Sequence, residues 1–87
     1  MSSINIITDI PGPKSKSLME RRVKAVPKGP FHVTPIFVEK AEGAIVHDVD
    51  GNSFIDFASG IGVTNSGHNN PKLVNSAKKQ LDKYIHT

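Results

Sequence analysis

The chain has 87 residues, no cysteine, 37% apolar and 6% aromatic residues, and a formal net charge of +3. Such a length allows at most one small domain that buries only about 60% of its unfolded surface, and the missing cysteines exclude a disulfide framework and a thiolate metal site. No apolar run approaches the ~20 residues of a membrane span, and the opening MSSINIITDIPGPKSKS lacks a basic region followed by an apolar one, so no secretory signal is expected and a cytoplasmic protein is.

Much of the positive charge lies in residues 14–28, where Lys14, Lys16, Arg21, Arg22, Lys24 and Lys28 face Glu20 alone. No aromatic residues interleave them to stack bases and no recognition motif follows. The run reads as a solvated helix face, and no nucleic-acid partner is expected.

Residues 1–16 are polar and punctuated by Pro11-Gly12-Pro13, which predicts an irregular N-terminal arm, with residues 17–87 as the folded part. The first helix is expected to start at Ser17, as N-cap, with Glu20 as its capping-box partner three residues on. Leu18, Val23 and Val26 give a rough apolar stripe, and Pro27 ends the helix. KGPFHVTP is then a Pro/Gly-rich connector.

Residues 36–57 read as three strands, about 36–41, 44–49 and 53–57, in a small antiparallel meander. Glu42-Gly43 closes the first hairpin. Asp50-Gly51 is the stronger turn signal and predicts a type I′ turn, which needs positive φ at both central residues. Asp48, Asp50 and Asp56 are carboxylates of the kind catalysis uses, but turn chemistry and strand-edge polarity account for all three.

The last element is a helix in NNPKLVNSAKKQLDKYIHT. Asn70 caps it, Pro71 takes its first position, and Leu73, Val74, Ala77, Leu81 and Tyr84 share one face. That stripe is a packing surface. Three strands and two helices leave much of their apolar surface without an obvious partner, so the chain is expected to be part of something larger. A stand-alone interaction module that docks through the stripe is the alternative from another class.

Between the meander and that helix runs ASGIGVTNSGHNNP, residues 58–71. It does not fit G-x-x-x-x-G-K-[ST], which needs a lysine to reach phosphates, nor G-x-G-x-x-G, because Gly67 is five positions beyond Gly62. His68 has no second histidine at ligand spacing, and His32, His47 and His86 are scattered, so no metal site is expected. The glycines let the backbone turn sharply or approach another group closely.

The stretches IPGPKSKSLMERR, AVPKG, PIFVEKAEGA, DVDGNSFIDFASGIGVTNSGHNNPKLV and QLDKYIHT resemble the N-terminal end of class III pyridoxal-phosphate-dependent aminotransferases, and their 4-aminobutyrate subgroup most closely. The likeness spans essentially the whole chain. It implies an α/β architecture: a helix, a three-stranded antiparallel meander and a helix, as the N-terminal segment of a fold type I transferase. It also implies pyridoxal 5'-phosphate as cofactor, an amino donor such as 4-aminobutyrate, a 2-oxo acid acceptor such as 2-oxoglutarate, and a homodimer or larger homo-oligomer. Succinate semialdehyde and glutamate would be the products. Another ω-aminotransferase of the class, acting on 5-aminovalerate or β-alanine, is the runner-up.

Within the loop, Ile61 matches an isoleucine that lines the substrate pocket of the 4-aminobutyrate enzymes; the similar ornithine enzymes carry an aromatic residue there. An aliphatic wall suits a methylene chain between two charges. Gly60 and Gly62 then permit close backbone approach, and Asn65, Gly67 and His68 shape the loop without a chemical step. The Schiff-base lysine, the acid paired to the pyridinium nitrogen, the phosphate cup and the substrate arginines match no position here. The chain is therefore expected to be an N-terminal fragment, inactive alone.

Overall fold

The computed structural model describes residues 4–29 and 33–86. His32 and the middle of the expected connector lie outside the described residues. The elements are helix α1 (Pro13–Ala25), strands β1 (Val38–Glu42), β2 (Ile45–Asp48) and β3 (Ser53–Ile55), a short left-handed turn, α2 (Ser59–Gly62), and helix α3 (Pro71–Leu81).

Helix α1 begins four residues before the expected Ser17, and the arm is correspondingly shorter than residues 1–16. The local capping signal was outweighed by two others. Pro13 sits at the first helical position, where its fixed φ suits the helix and its missing N–H costs nothing. The open donors of the first turn are then met from far along the chain: the Asp50 carboxylate accepts the backbone N–H of Lys14 at 2.6 Å and of Ser15 at 3.0 Å. A side chain on Gly12 would overlap that carboxylate, so glycine is required there. Val26 caps the other end in extended conformation, just before Pro27, with Arg22 and Lys24 near the negative pole of the helix.

The three strands form the expected antiparallel meander in the order β1-β2-β3, with strands somewhat shorter than predicted. Glu42 pairs with Ile45 and Ile45 with Ile55; a bulge between Val38 and Lys40 shifts the register of β1. The first hairpin turns through Gly43-Ala44, one residue later than expected, with positive φ at Gly43 (57°). The second is not type I′. Gly51 has φ 87° but Asp50 is not left-handed. The N–H of Gly51 bonds Asp48 O at 3.2 Å and that of Asp48 bonds Asn52 O at 3.0 Å, a three-residue loop ending in a left-handed glycine. That geometry frees the Asp50 carboxylate to reach α1. The arm, too, is partly ordered by pairing: Asn5 and Ser53 exchange backbone hydrogen bonds at 3.0 and 2.7 Å.

The centre is polar. Val46 is the buried apolar residue among those described, whereas Ser15, Asp48 and Asn52 are completely buried. A buried carboxylate is costly unless hydrogen bonds meet it. Asp48 receives three, from the backbone N–H groups of Asp50 (2.9 Å) and Asn52 (2.9 Å) and from Asn52 Nδ2 (3.0 Å). Asn52 in turn accepts the N–H groups of Ile7 (2.7 Å) and Thr8 (3.0 Å) and donates to Thr8 Oγ1 (2.7 Å). Ser15 Oγ accepts the N–H of Phe37 at 3.1 Å. The DVDGN turn thus gathers arm, helix and sheet through hydrogen bonds, where a larger domain would use apolar packing.

Helix α3 is as expected: Asn70 Oδ1 accepts the Lys72 N–H at 3.0 Å and Pro71 opens the helix. The helix ends at Leu81, so Tyr84 of the expected stripe lies beyond it; Leu73, Leu81 and Tyr84 are each more than half exposed. The chain exposes 7141 Å², against about 5,000 Å² for a folded monomer of this mass. Its radius of gyration is 15.4 Å, against about 12 Å for a compact domain of this length.

Candidate functional site

The loop after β3 is built outward from Asp56. This residue extends the ladder, its N–H donating to Ala44 O at 2.8 Å. Its Oδ1 then accepts the backbone N–H groups of Ala58 (3.0 Å) and Ser59 (2.8 Å), which bends the chain sharply. Its Oδ2 meets His68 Nε2 at 2.7 Å, with the two side chains 17% and 23% exposed. The His68 hydrogen bond, then the Ser59 amide, hold the Asp56 carboxyl below its ordinary value. An ionised carboxylate only accepts, so Nε2 carries the proton in this contact.

His68 is pinned by its backbone as well. Its N–H and C=O bond Gly43 O and N at 2.8 and 3.0 Å. The close backbone approach foreseen for glycine is found at Gly67, where a Cβ would lie 3.3 Å from Gly43 Cα, and where φ is 85°. Gly60 and Gly62 make no such approach to other described residues of this chain. A Cβ on Gly60 would make an ordinary contact with Val63 and one on Gly62 would meet nothing. Within this chain those two glycines answer a conformational demand.

That demand is a left-handed turn of four residues: Ser59, Gly60, Ile61 and Gly62 have φ of 51°, 60°, 59° and 84°. It is closed by N–H bonds from Ile61 and Gly62 to Ala58 O and from Thr64 to Ser59 O. Glycine occupies this region freely; a β-branched residue does so only under strain. Ile61 is held there 94% exposed, and Phe57 and Val63, near it in sequence, are also strongly exposed.

The structure therefore divides the six predicted loop residues. Asn65, Gly67 and His68 line one open concavity of about 340 Å³, together with Ser59, Thr64 and Ser66. Gly60, Ile61 and Gly62 stand on the outer turn beside it. The turn chemistry expected of Asp56 is found in its bonds to the Ala58 and Ser59 amides, but its contact with His68 was not foreseen from the sequence. Nor was Thr64, whose buried hydroxyl lacks a hydrogen-bond partner among the described residues. Among the described residues, no lysine or arginine lines the concavity. The described residues offer there neither an amine for a carbonyl group nor a cation for a phosphate, so they do not make up a site for an aldehyde cofactor, and no chemical step is assigned to them.

Comparison with known proteins identifies the family. The model of the family Aminotransferase class-III matches residues 26–87. The chain is 45% identical over 85 residues to the 4-aminobutyrate aminotransferase of Mycobacterium tuberculosis, an alignment covering 98% of the chain and 19% of that protein. It is 51% identical over 73 residues to the 5-aminovalerate aminotransferase of Pseudomonas putida, covering 84% and 17%. The acetylornithine aminotransferase structure from Elizabethkingia anophelis superposes with a TM-score of 0.75 at 32% identity, over 84% of this chain and 19% of that one. The chain belongs to the class III aminotransferase family, and its helix, antiparallel meander and helix are an N-terminal segment of the aminotransferase fold. It spans about a fifth of the length of the curated relatives it matches.

Proposed function

We propose that these residues serve in a pyridoxal-phosphate-dependent transaminase that moves the amino group of 4-aminobutyrate to 2-oxoglutarate. The enzyme acts as a homodimer or larger homo-oligomer in the cytoplasm. In it, residues 13–87 belong to a larger domain, and the glycine loop is one wall of a pocket whose reactive groups come from elsewhere in the assembly. The cofactor supplies the electron sink when bound. The residues described here orient the substrate: Ile61 presents an aliphatic surface to its methylene chain, and Gly60, Gly62, Asn65, Gly67 and His68 give the loop its shape.

The observation that carries this reading is the 45% identity to a 4-aminobutyrate aminotransferase across 98% of the chain. The exposed, strained Ile61 supports the wall role, since backbone strain of this kind clusters at functional sites. A second reading, 5-aminovalerate as donor, is favoured by the 51% identity to an enzyme of that activity. The two donors differ by one methylene, and kcat/KM for each, measured on the assembled enzyme, decides between them. The wall role is tested by Ile61→Tyr. A narrowed pocket disfavours bulky diamines differently from 4-aminobutyrate, so the preference between them should shift. An unchanged preference refutes the role.

A further inference from the structure

The left-handed turn is closed by backbone hydrogen bonds within the loop, but Ile61 at its tip is almost fully exposed. Ile61 adopts a backbone conformation that disfavours β-branched residues, yet its side chain is 94% exposed and contributes little packing to hold it there. Further restraint comes from the base of the loop. Asp56 fastens the entry through the amides of Ala58 and Ser59, at 3.0 and 2.8 Å, and joins the exit through His68 at 2.7 Å. His68 is itself riveted to the β1–β2 turn by two backbone bonds to Gly43, and Asp56 to the same turn by its bond to Ala44. Both ends of an eleven-residue excursion, 57–67, thus converge on one rigid hairpin.

We propose that Asp56 and His68 are positioning residues for substrate selection: their contact holds the left-handed turn and so sets where Ile61 stands against the methylene chain of the donor. This rests on the reading of Ile61 as a pocket wall. Neither residue takes part in a chemical step. Loosening the clamp lets the turn relax and withdraws the wall, which weakens binding of a short donor while leaving the rate of the bound complex largely intact.

The test is made on the assembled, cofactor-loaded transaminase, with kcat and KM measured for 4-aminobutyrate and for ornithine. Asp56→Ala is expected to lower the preference for 4-aminobutyrate by about tenfold, within the range that a lost apolar contact commands, and to do so through KM. Asp56→Asn keeps an oxygen for both amides, and its Nδ2 donates to His68 Nε2 once the ring proton moves to Nδ1, so it is expected to restore most of the preference. Ile61→Gly removes the wall and the strain together, so Asp56→Ala added to it should change nothing further. A KM unmoved by Asp56→Ala, an asparagine variant no better than the alanine one, or equal effects of Asp56→Ala in both backgrounds overturns the proposal. If Ile61→Gly alone leaves the preference unchanged, the wall reading itself has failed, and the clamp proposal falls with it. Where Asp56→Ala does not load cofactor, His68→Ala, which leaves the carboxylate on its two amides, carries the same comparison.

Discussion

The Asp50 carboxylate accepts the backbone N–H of Lys14 at 2.6 Å across 36 residues of sequence. A turn between two strands thereby caps a helix that precedes the sheet, and the start of α1 depends on the sheet being formed. Asp50→Ala should fray the first turn of α1 without unpairing the strands. Amide hydrogen exchange at Lys14 and Ser15 is expected to quicken on the order of tenfold, the size of one net hydrogen bond, with the Val46 amide unaffected. Equal acceleration at all three would show that Asp50 supports the whole fold and not the helix terminus.

Asn52 is the buried link between arm and sheet, with its oxygen accepting two amides and its nitrogen donating twice. Asn52→Ala leaves the Ile7 and Thr8 amides and an oxygen of Asp48 without their partner. Stability should fall by on the order of 2 kcal/mol or more, since each unsatisfied buried group costs about 1–3 kcal/mol. Denaturant melting measures the loss; a fall of only a few tenths would mean that water replaces the side chain.

Two carboxyls report on these contacts through pH. Asp56 is lowered chiefly by the His68 hydrogen bond, and Asp50 is lowered because amide bonds from Ser15 and Lys14 outweigh the desolvation that would raise it. A group whose folded value is depressed stabilises the fold above its unfolded value and loses that contribution as pH falls through the folded one. Both contacts should therefore be intact at neutral pH and be lost only below about pH 3.8. Carboxyl-carbon NMR shifts should titrate with midpoints below the ordinary aspartate value, and a midpoint above it at either residue contradicts the geometry.

Thr64 buries a hydroxyl with no partner among the described residues. Thr64→Val keeps the shape and removes the unmet polar atom, so stability should rise by about 1 kcal/mol. A loss of stability in thermal melting would show that the hydroxyl is engaged. A gain accompanied by impaired donor binding in the assembled enzyme would place that hydroxyl at the substrate.

Local chemistry was legible in the sequence where it acts over a few residues. Asn70 and Pro71 announced α3 because cap and first-turn preferences are satisfied within one turn. Glycines and β-branched runs announced three strands because turns and alternation are short-range. The DVDGN and GIGVTNSGH stretches disclosed the family. Only the tertiary structure showed that α1 begins at Pro13, because its cap is a carboxylate from a distant turn; that the core is a hydrogen-bonded hub of Ser15, Asp48 and Asn52; and that Asp56 and His68 grip a left-handed turn carrying Ile61. A sequence displays donors and acceptors, but which of them meet across thirty residues is settled when the chain packs, because each unpaired buried group would otherwise forfeit its bonds to water.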